Sequence, residues 1–433
     1  MLLAAPLSAY ISDEFGRRRA FVTSALFFLL GLIVQVFAHS FRQLVIGRII
    51  AGVGAGIGSG VDSAYIAEIS PAANRGEMVA FSSLFANVGI ILGHVAALLV
   101  AGAEESIQWR GMLAVGIVIP IAIISTTLTV LLESPRYLVL KEEYQTAWLV
   151  LLDLHPKGEN VHEVVEEIGE ALERERIAEE EIGWRTLLRP TPAFRRMLLL
   201  GWGMSFIMEI VGIDSIQYYL VDMIKEAGMD TMVAGSLVLV GIGIIKIQCI
   251  LICSKLVDRV GRRFFVFLSL FGMAFSLFLV SLSYSLPQGN AHLITALVGM
   301  TFYLASYGIG IGPVSRMVTS EVFATGIRAK ANSVAVVINA ATGTLMASTM
   351  LITVNTITWP GYFTLVAWIC LAIAGILYYA LPETTGHSLE EMSLYFAEIT
   401  GDFSVLDAKR SVRVAPQRVQ LSADESIRSF SRK

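Results

Sequence analysis

Ten stretches of this chain are long and apolar enough to cross a lipid bilayer, and they confine the fold to one kind of secondary structure. They run over 21–38, 44–67, 80–101, 112–132, 197–220, 232–252, 264–284, 293–318, 331–354 and 362–381. Hydrocarbon offers no water to backbone N–H and C=O groups, so a spanning segment must satisfy them within itself, as a helix does. About 20 residues at a rise of about 1.5 Å each cover the apolar layer. Hydrophobic residues make up 55% of the chain, charged residues 16%, and the mean hydropathy is +0.68, which excludes an ordinary soluble domain. The expected fold class is an all-α membrane protein whose solvent and principal partner is the lipid bilayer.

A charged signature interrupts this pattern twice. The sequence DEFGRRR at 13–19 returns as DRVGRRF at 258–264, more than half the chain later. Such repetition points to a duplicated protein, two pseudo-symmetric helical bundles with matching hinge loops. Arg17, Arg18, Arg19, Arg75, Lys255, Arg259, Arg262, Arg263, Arg328 and Lys330 fall on one side of the alternating spans, against Arg42, Arg110 and Lys225 on the other. By the positive-inside rule the hinge loops, the central segment and the C-terminus are cytoplasmic. The domain expectation is an N-terminal bundle over 1–132, a cytoplasmic linker over 133–194, a six-helix bundle over 195–397 and a disordered tail over 398–433. Within the linker, Val164, Val165, Ile168 and Leu172 recur at helical spacing beside runs of Glu, the pattern of short amphipathic helices. In the tail, Ser426, Ser429 and Ser431 stand near arginines, where phosphorylation and chance are equally good readings.

Residues 1–11 are apolar but span only about 16 Å as a helix, half a bilayer, and so read as a shortened start. Cys249, Cys253 and Cys370 lie inside apolar runs. They indicate neither a disulfide framework nor a metal site.

Several local motifs then fall in order. Arg48 precedes Gly52, Gly54 and Gly56; Tyr65, Glu68 and Pro71 precede Arg75 and Gly76; Glu133, Ser134, Pro135 and Arg136 close the first half. In the second half come Ser320, Glu321 and Phe323 with Arg328, then Pro382 to Gly386 with Leu389 and Glu391. In this order and spacing the chain resembles the sugar porters of the major facilitator superfamily, the group of glucose, xylose and inositol transporters. The resemblance covers residue 1 to about 395 and lacks the family's first helix. It implies the major facilitator fold, with the first helix and part of the second missing, and a secondary carrier of a sugar, polyol or related small polar solute.

The charged ends then read as a gate. Asp13, Arg17, Arg18, Glu68, Arg75, Glu133, Arg136, Asp258, Arg262, Arg263, Glu321, Arg328 and Glu383 are expected to form ion pairs between the two bundles, closed in one state and broken in the other. The plainer alternative makes them topology anchors.

The binding positions depart from the family pattern. Where the resemblance implies a pair of glutamines and an asparagine on the seventh helix, this chain has Met208, Glu209 and Asp214, though Tyr218 and Tyr219 remain. His94 stands for a glutamine, Lys246 is near a family asparagine, Arg316 replaces a tryptophan, and Asn339 is retained beside Ala340. The candidate substrate contacts are His94, Glu209, Asp214, Gln217, Lys246, Arg316 and Asn339, with Asp62 a further acid one turn before Tyr65. Charges at mid-membrane cost roughly 2.5–3.5 kcal/mol each on insertion scales and persist where they pair, meet water or bind a ligand. Glu209 and Lys246 are at matching depth and could pair. Glu209 and Asp214 converge only if the helix loosens near Gly212, and the tenth helix has a comparable weak point at Gly308, Gly310, Gly312 and Pro313.

Three readings stay open for this cluster: mutual neutralisation around a neutral sugar or polyol, proton coupling through Glu209 or Asp214, and recognition of a charged organic solute. A nutrient sensor or defective relative that no longer transports is the opposing class. An enzyme, a cofactor, a metal and a nucleic-acid partner are not expected. The glycines of 52–60 lie within an apolar span and cannot cradle a nucleotide phosphate. The plasma membrane is the family's usual setting.

Overall fold

The computed structural model describes residues 5–70, 75–154, 161–181, 187–226, 232–287, 289–323, 327–385 and 389–402. The expected tail over 398–433, beyond residue 402, lies outside them. Among the described residues the chain is helical and contains no strand. The first half holds α1 (Ala5–Phe15), α2 (Arg17–Val36), α3 (Phe41–Ile69), α4 (Arg75–Leu99), α5 (Glu105–Gly116) and α6 (Val118–Thr129). The linker forms α7 (Pro135–Leu140), α8 (Tyr144–Leu154) and α9 (Val161–Glu181). Then come α10 (Pro192–Ile210), α11 (Ile213–Glu226), α12 (Met232–Val260), α13 (Arg262–Ser283), α14 (Asn290–Ile309), α15 (Ile311–Val322), α16 (Arg328–Ala380) and α17 (Leu389–Thr400).

Eight of the helical spans among the described residues are long and apolar enough to cross a membrane. Two of the ten stretches read from the sequence fuse into α16, and the stretch over 80–101 contributes a shorter apolar helix, Leu84–Leu99. The fusion is one of continuous turns only. At Thr358 the backbone leaves the helical region (φ 65°, ψ 167°), and Pro360 follows two residues later, so α16 consists of two arms. A β-branched residue rarely adopts positive φ. The corner is held from α13, where the Ser281 hydroxyl donates to the Pro360 carbonyl at 3.0 Å and meets Thr364 Oγ1 at 2.9 Å.

The chain divides into two compact units. One comprises Met1–Ser82, Gly116–Ala193 and Ala397–Lys433; the other comprises Ser83–Val115 and Phe194–Phe396. In the first, α2 and α3 lie so close that a Cβ on Gly31 would stand 2.4 Å from the Ala51 amide nitrogen, and the Ser24 hydroxyl donates to the Gly54 carbonyl at 2.9 Å. Small residues permit such an approach where lipid gives no hydrophobic drive for helix association. The linker has its own core, in which Val161 and Val165 of α9 bury against Leu138, Val139, Ala147, Val150 and Leu151, with Val164, Ile168 and Leu172 at its edge. In the second unit α13 supplies a fully buried stripe of Leu270, Met273 and Leu277, joined by Tyr303 and Phe363. Large apolar side chains such as Ile49, Phe275 and Trp368 are exposed, which lipid tolerates and water does not.

Candidate functional site

The two copies of the charged signature build the same local structure. Gly16 (φ 91°) turns the chain between α1 and α2, and Gly261 (φ 112°) turns it between α12 and α13. Each turn exposes the first amides of the next helix, groups without intrahelical partners. A distant carboxylate takes them. Glu133 Oε1 accepts from the Arg17 amide at 2.8 Å and Oε2 from the Arg18 amide at 3.3 Å. Glu383 accepts from the Arg262 and Arg263 amides at 2.9 and 3.1 Å. The negative charge also suits the positive end of the helix. Burial opposes ionisation of Glu383, but the hydroxyl and amide of Thr385 and the two arginine amides outweigh it, holding the carboxyl below its ordinary value.

The arginine side chains repeat the symmetry. Arg17 donates to both oxygens of Glu68, at 2.9 and 2.7 Å, and meets Asp13 at 3.0 Å. Arg262 meets Glu321 at 2.9 Å and Asp258 at 2.7 Å. The next arginine in each copy reaches carbonyls in the last turn of another helix: Arg18 to Thr127 and Leu128 in α6, Arg263 to Tyr378 in α16. Helix C-termini favour cations. Ser134 caps α7, on which Arg136 lies, and its hydroxyl donates to Glu68. The ion pairs Arg17–Glu68 and Arg262–Glu321 each join groups of one unit. Each acid ends a helix that packs beside the hinge of its own unit. The side chains of Arg75 and Arg328 lie outside the described residues.

The interior candidates all belong to the second unit. α10 and α11 are separated at Val211 and Gly212, where Gly212 takes φ 88°. The break leaves the Val211 carbonyl without a helical donor, and the hydroxyl of the fully buried Tyr303 supplies one at 2.8 Å. α14 and α15 are separated at Gly310, three residues before Pro313. There the Ile311 amide donates to Ser269 Oγ of α13 at 3.1 Å. Each interruption is thus repaired by a neighbouring helix, which lets irregular backbone exist at membrane depth.

The break at Gly212 reorients the acids. Glu209, 5% exposed, accepts at Oε1 from Asn339 Nδ2 of α16 at 3.0 Å. Asn339 also donates to the Ser205 carbonyl at 3.4 Å. Glu209 Oε2 is buried without a hydrogen-bond partner. Asp214 turns toward the same spot: a Cβ on Gly343 would stand 3.0 Å from Asp214 Oδ2 and 3.2 Å from Glu209 Oε2. Lys246, 8% exposed, donates to Gln217 Oε1 at 3.1 Å and lies 5.6 Å from the Tyr307 ring centroid, a cation–π distance. From the sequence, Lys246 and Glu209 could pair. The structure gives Lys246 to Gln217, on α11 beyond the turn at Gly212, and Glu209 to Asn339 of α16.

Arg316 on α15 is exposed and within electrostatic reach of Glu209 and Lys246. His94 on α4 is half-buried in the same unit, and no hydrogen bond joins its ring to the other six candidates. Asp62 on α3 belongs to the first unit. Sequence reasoning missed Ser205, Tyr303, Tyr307 and Gly343. Spacing offered a signal, since Tyr303 and Tyr307, and Asn339 and Gly343, are four residues apart and share a helix face.

A family profile described as "Sugar (and other) transporter" matches residues 2–396. "Probable polyol transporter 4" of Arabidopsis thaliana is 36% identical over 407 residues, covering 93% of this chain and 77% of the relative. The "D-xylose transporter" of Levilactobacillus brevis is 29% identical over 407 residues, covering 93% and 87%. Among solved structures, the inward-open xylose transporter XylE from E. coli has a TM-score of 0.75 at 24% identity, covering 91% of this chain and 86% of that one. The same transporter, a major facilitator superfamily proton:xylose symporter, gives a TM-score of 0.74 at 23% identity when bound to 6-bromo-6-deoxy-D-glucose, again covering 91% and 86%. Multi-pass, helical and built on the major facilitator fold, this chain belongs to the sugar transporter family.

Proposed function

We propose that this protein carries a sugar or polyol across its membrane by alternating access, with the interior polar cluster of the second unit as part of the solute site. The observation that carries this reading is the set of donors and acceptors around the break at Gly212: Gln217, Asn339 and Lys246 beside Glu209 and Asp214. Hydroxyl groups both donate and accept, so a polyhydroxylated solute can satisfy amides, an ammonium and carboxylates together. The polyol and xylose transporters among its relatives support the solute class. Arg316 and His94 complete the proposed contacts. Lys246 and Arg316 offset the charge that the acids carry, a setting that suits a neutral solute.

The proposed gate consists of the hinge pairs at the ends of the spans, Arg17–Glu68 and Arg262–Glu321, with Asp13, Asp258, Glu133 and Glu383 as their supports and Arg18, Arg136 and Arg263 as further cations; Arg75 and Arg328 are included from the sequence alone. The arginine excess at these ends supports a cytoplasmic side for the gate, and the proposed setting is the plasma membrane.

The test is counterflow in proteoliposomes containing the purified chain. Preloaded D-xylose, D-glucose or sorbitol should accelerate entry of the same labelled solute, and Lys246→Ala or Glu209→Gln should change the order of preference. Binding without counterflow would assign the chain to a sensor class. Inhibition by organic acids or amines, but by none of the three neutral solutes, would replace the polyol with a charged solute.

A further inference from the structure

Carboxylate oxygens of Glu209 and Asp214 both lie against Gly343, and the Glu209 oxygen has no hydrogen-bond partner. Glu209 is 5% exposed, and its Oε2 has no hydrogen-bond partner. A buried carboxylate oxygen left unsatisfied carries a desolvation penalty that a structure normally relieves. Asn339 already serves Oε1, at 3.0 Å. Both Glu209 Oε2 and Asp214 Oδ2 converge on the space where a Gly343 Cβ would sit, at 3.2 and 3.0 Å from it. Two like charges so placed resist joint ionisation, and a proton on Glu209 Oε2 resolves the conflict by turning that orphaned acceptor into a donor toward Asp214.

The surroundings limit what else could fill the gap. Lys246 faces the pair from α12, Arg316 from α15, and Tyr303 and Tyr307 from α14. The Tyr303 hydroxyl is spent on the Val211 carbonyl, and the Lys246 ammonium is bonded to Gln217. With one proton bound, the pair carries a single negative charge opposite Lys246. A metal cation would lie close to that ammonium and to the Arg316 field. The backbone also distinguishes the two acids. Glu209 stands at the C-terminal end of α10, where the helix dipole is negative, and Asp214 in the first turn of α11, where it is positive. The anion belongs on Asp214, the proton on Glu209.

We propose that Glu209 and Asp214 form a proton-binding pair, with one exchangeable proton on Glu209 Oε2 facing Asp214 Oδ2. The step is protonation alone: an O–H bond forms at Glu209 Oε2 and breaks when the proton leaves to water, with no electron transfer. In a carrier this places the coupling proton beside the solute, a consequence that rests on the function proposed above; the pair itself does not.

Infrared difference spectroscopy of the full chain in proteoliposomes tests the pair without any solute. Titration from acid to alkaline pH should remove a protonated-carboxyl C=O band. Glu209→Gln should abolish that band, whereas Asp214→Asn and Gly343→Ala, which retain Glu209, should keep it and move its midpoint by about one pH unit or more. If the band is missing in the parent, or persists unchanged in Glu209→Gln, the proposal is overturned. It is also overturned if both other variants titrate as the parent does. Should Glu209→Gln fail to fold, the two midpoint shifts decide. Adding D-xylose or sorbitol to the parent then addresses coupling separately. A moved midpoint ties proton to solute; an unmoved one, with counterflow intact, leaves a proton pair in an uncoupled carrier. Absent counterflow with an intact titration refutes the transport reading and supports the pair.

Discussion

Arg17 and Glu68 form a two-pronged ion pair, Nε to Oε2 at 2.9 Å and Nη2 to Oε1 at 2.7 Å, with side chains only 7% and 9% exposed. Its counterpart in the second unit, Arg262 with Glu321, is a single contact at 2.9 Å with exposures of 11% and 26%. Removing one member of a secluded pair strands the other charge, whereas solvent takes up much of the loss at an open one. Arg17→Ala should therefore destabilise the protein by about 3 kcal/mol and Arg262→Ala by about 1 kcal/mol. Thermal unfolding in detergent measures both, and the reverse ranking would refute the argument.

Glu383 makes one end of the second unit sensitive to acid. Its carboxyl is held below its ordinary value in the folded chain, so its contribution is full above the ordinary carboxyl range and is lost as pH falls through the folded value. At neutral pH Glu383→Gln should cost about 1 kcal/mol, the size of a lost helix cap. In strong acid the two proteins should converge. Melting temperatures of parent and variant across pH give the comparison; a constant difference would show that ionisation of Glu383 is irrelevant.

Tyr303 supports the interruption between α10 and α11 from inside the core. Tyr303→Phe keeps the ring but leaves the Val211 carbonyl unsatisfied at a fully buried site. The expected loss is about 1–2 kcal/mol of stability, with weakened solute affinity because Glu209 lies two residues before Val211. Unfolding and counterflow measured on one preparation test both effects. A stable variant with parental affinity would mean that the break holds itself.

Asn339 fixes Glu209 through Oε1. Asn339→Ala removes a hydrogen bond to a charged or proton-sharing group and should weaken solute affinity about tenfold, or about 1.4 kcal/mol. The concentration dependence of counterflow reports it directly. Unchanged half-saturation would remove Asn339 from the site.

Composition and periodicity determine a great deal of this protein. Lipid demands self-contained hydrogen bonding, so runs of about 20 apolar residues can be read as helices without a structure. Repetition of DEFGRRR as DRVGRRF revealed the duplication because charge is scarce in such a chain. The same scarcity marked Glu209, Asp214 and Lys246. Partnership was a different matter. Glu133 caps Arg17 from 116 residues away, and Glu383 caps Arg262 from 121. Helical spacing determines which residues share a face, but not the rotation of that face or the helix that covers it. The backbone turn at Gly212 redirected α11, giving Lys246 to Gln217 and bringing Asp214 near Glu209 beside Gly343. Spacing allowed Asp214 to meet Glu209 only if the helix loosened near Gly212, and the structure has that turn; the partners Gln217 for Lys246 and Asn339 for Glu209 depend on how separate helices pack, and tertiary structure alone decided them.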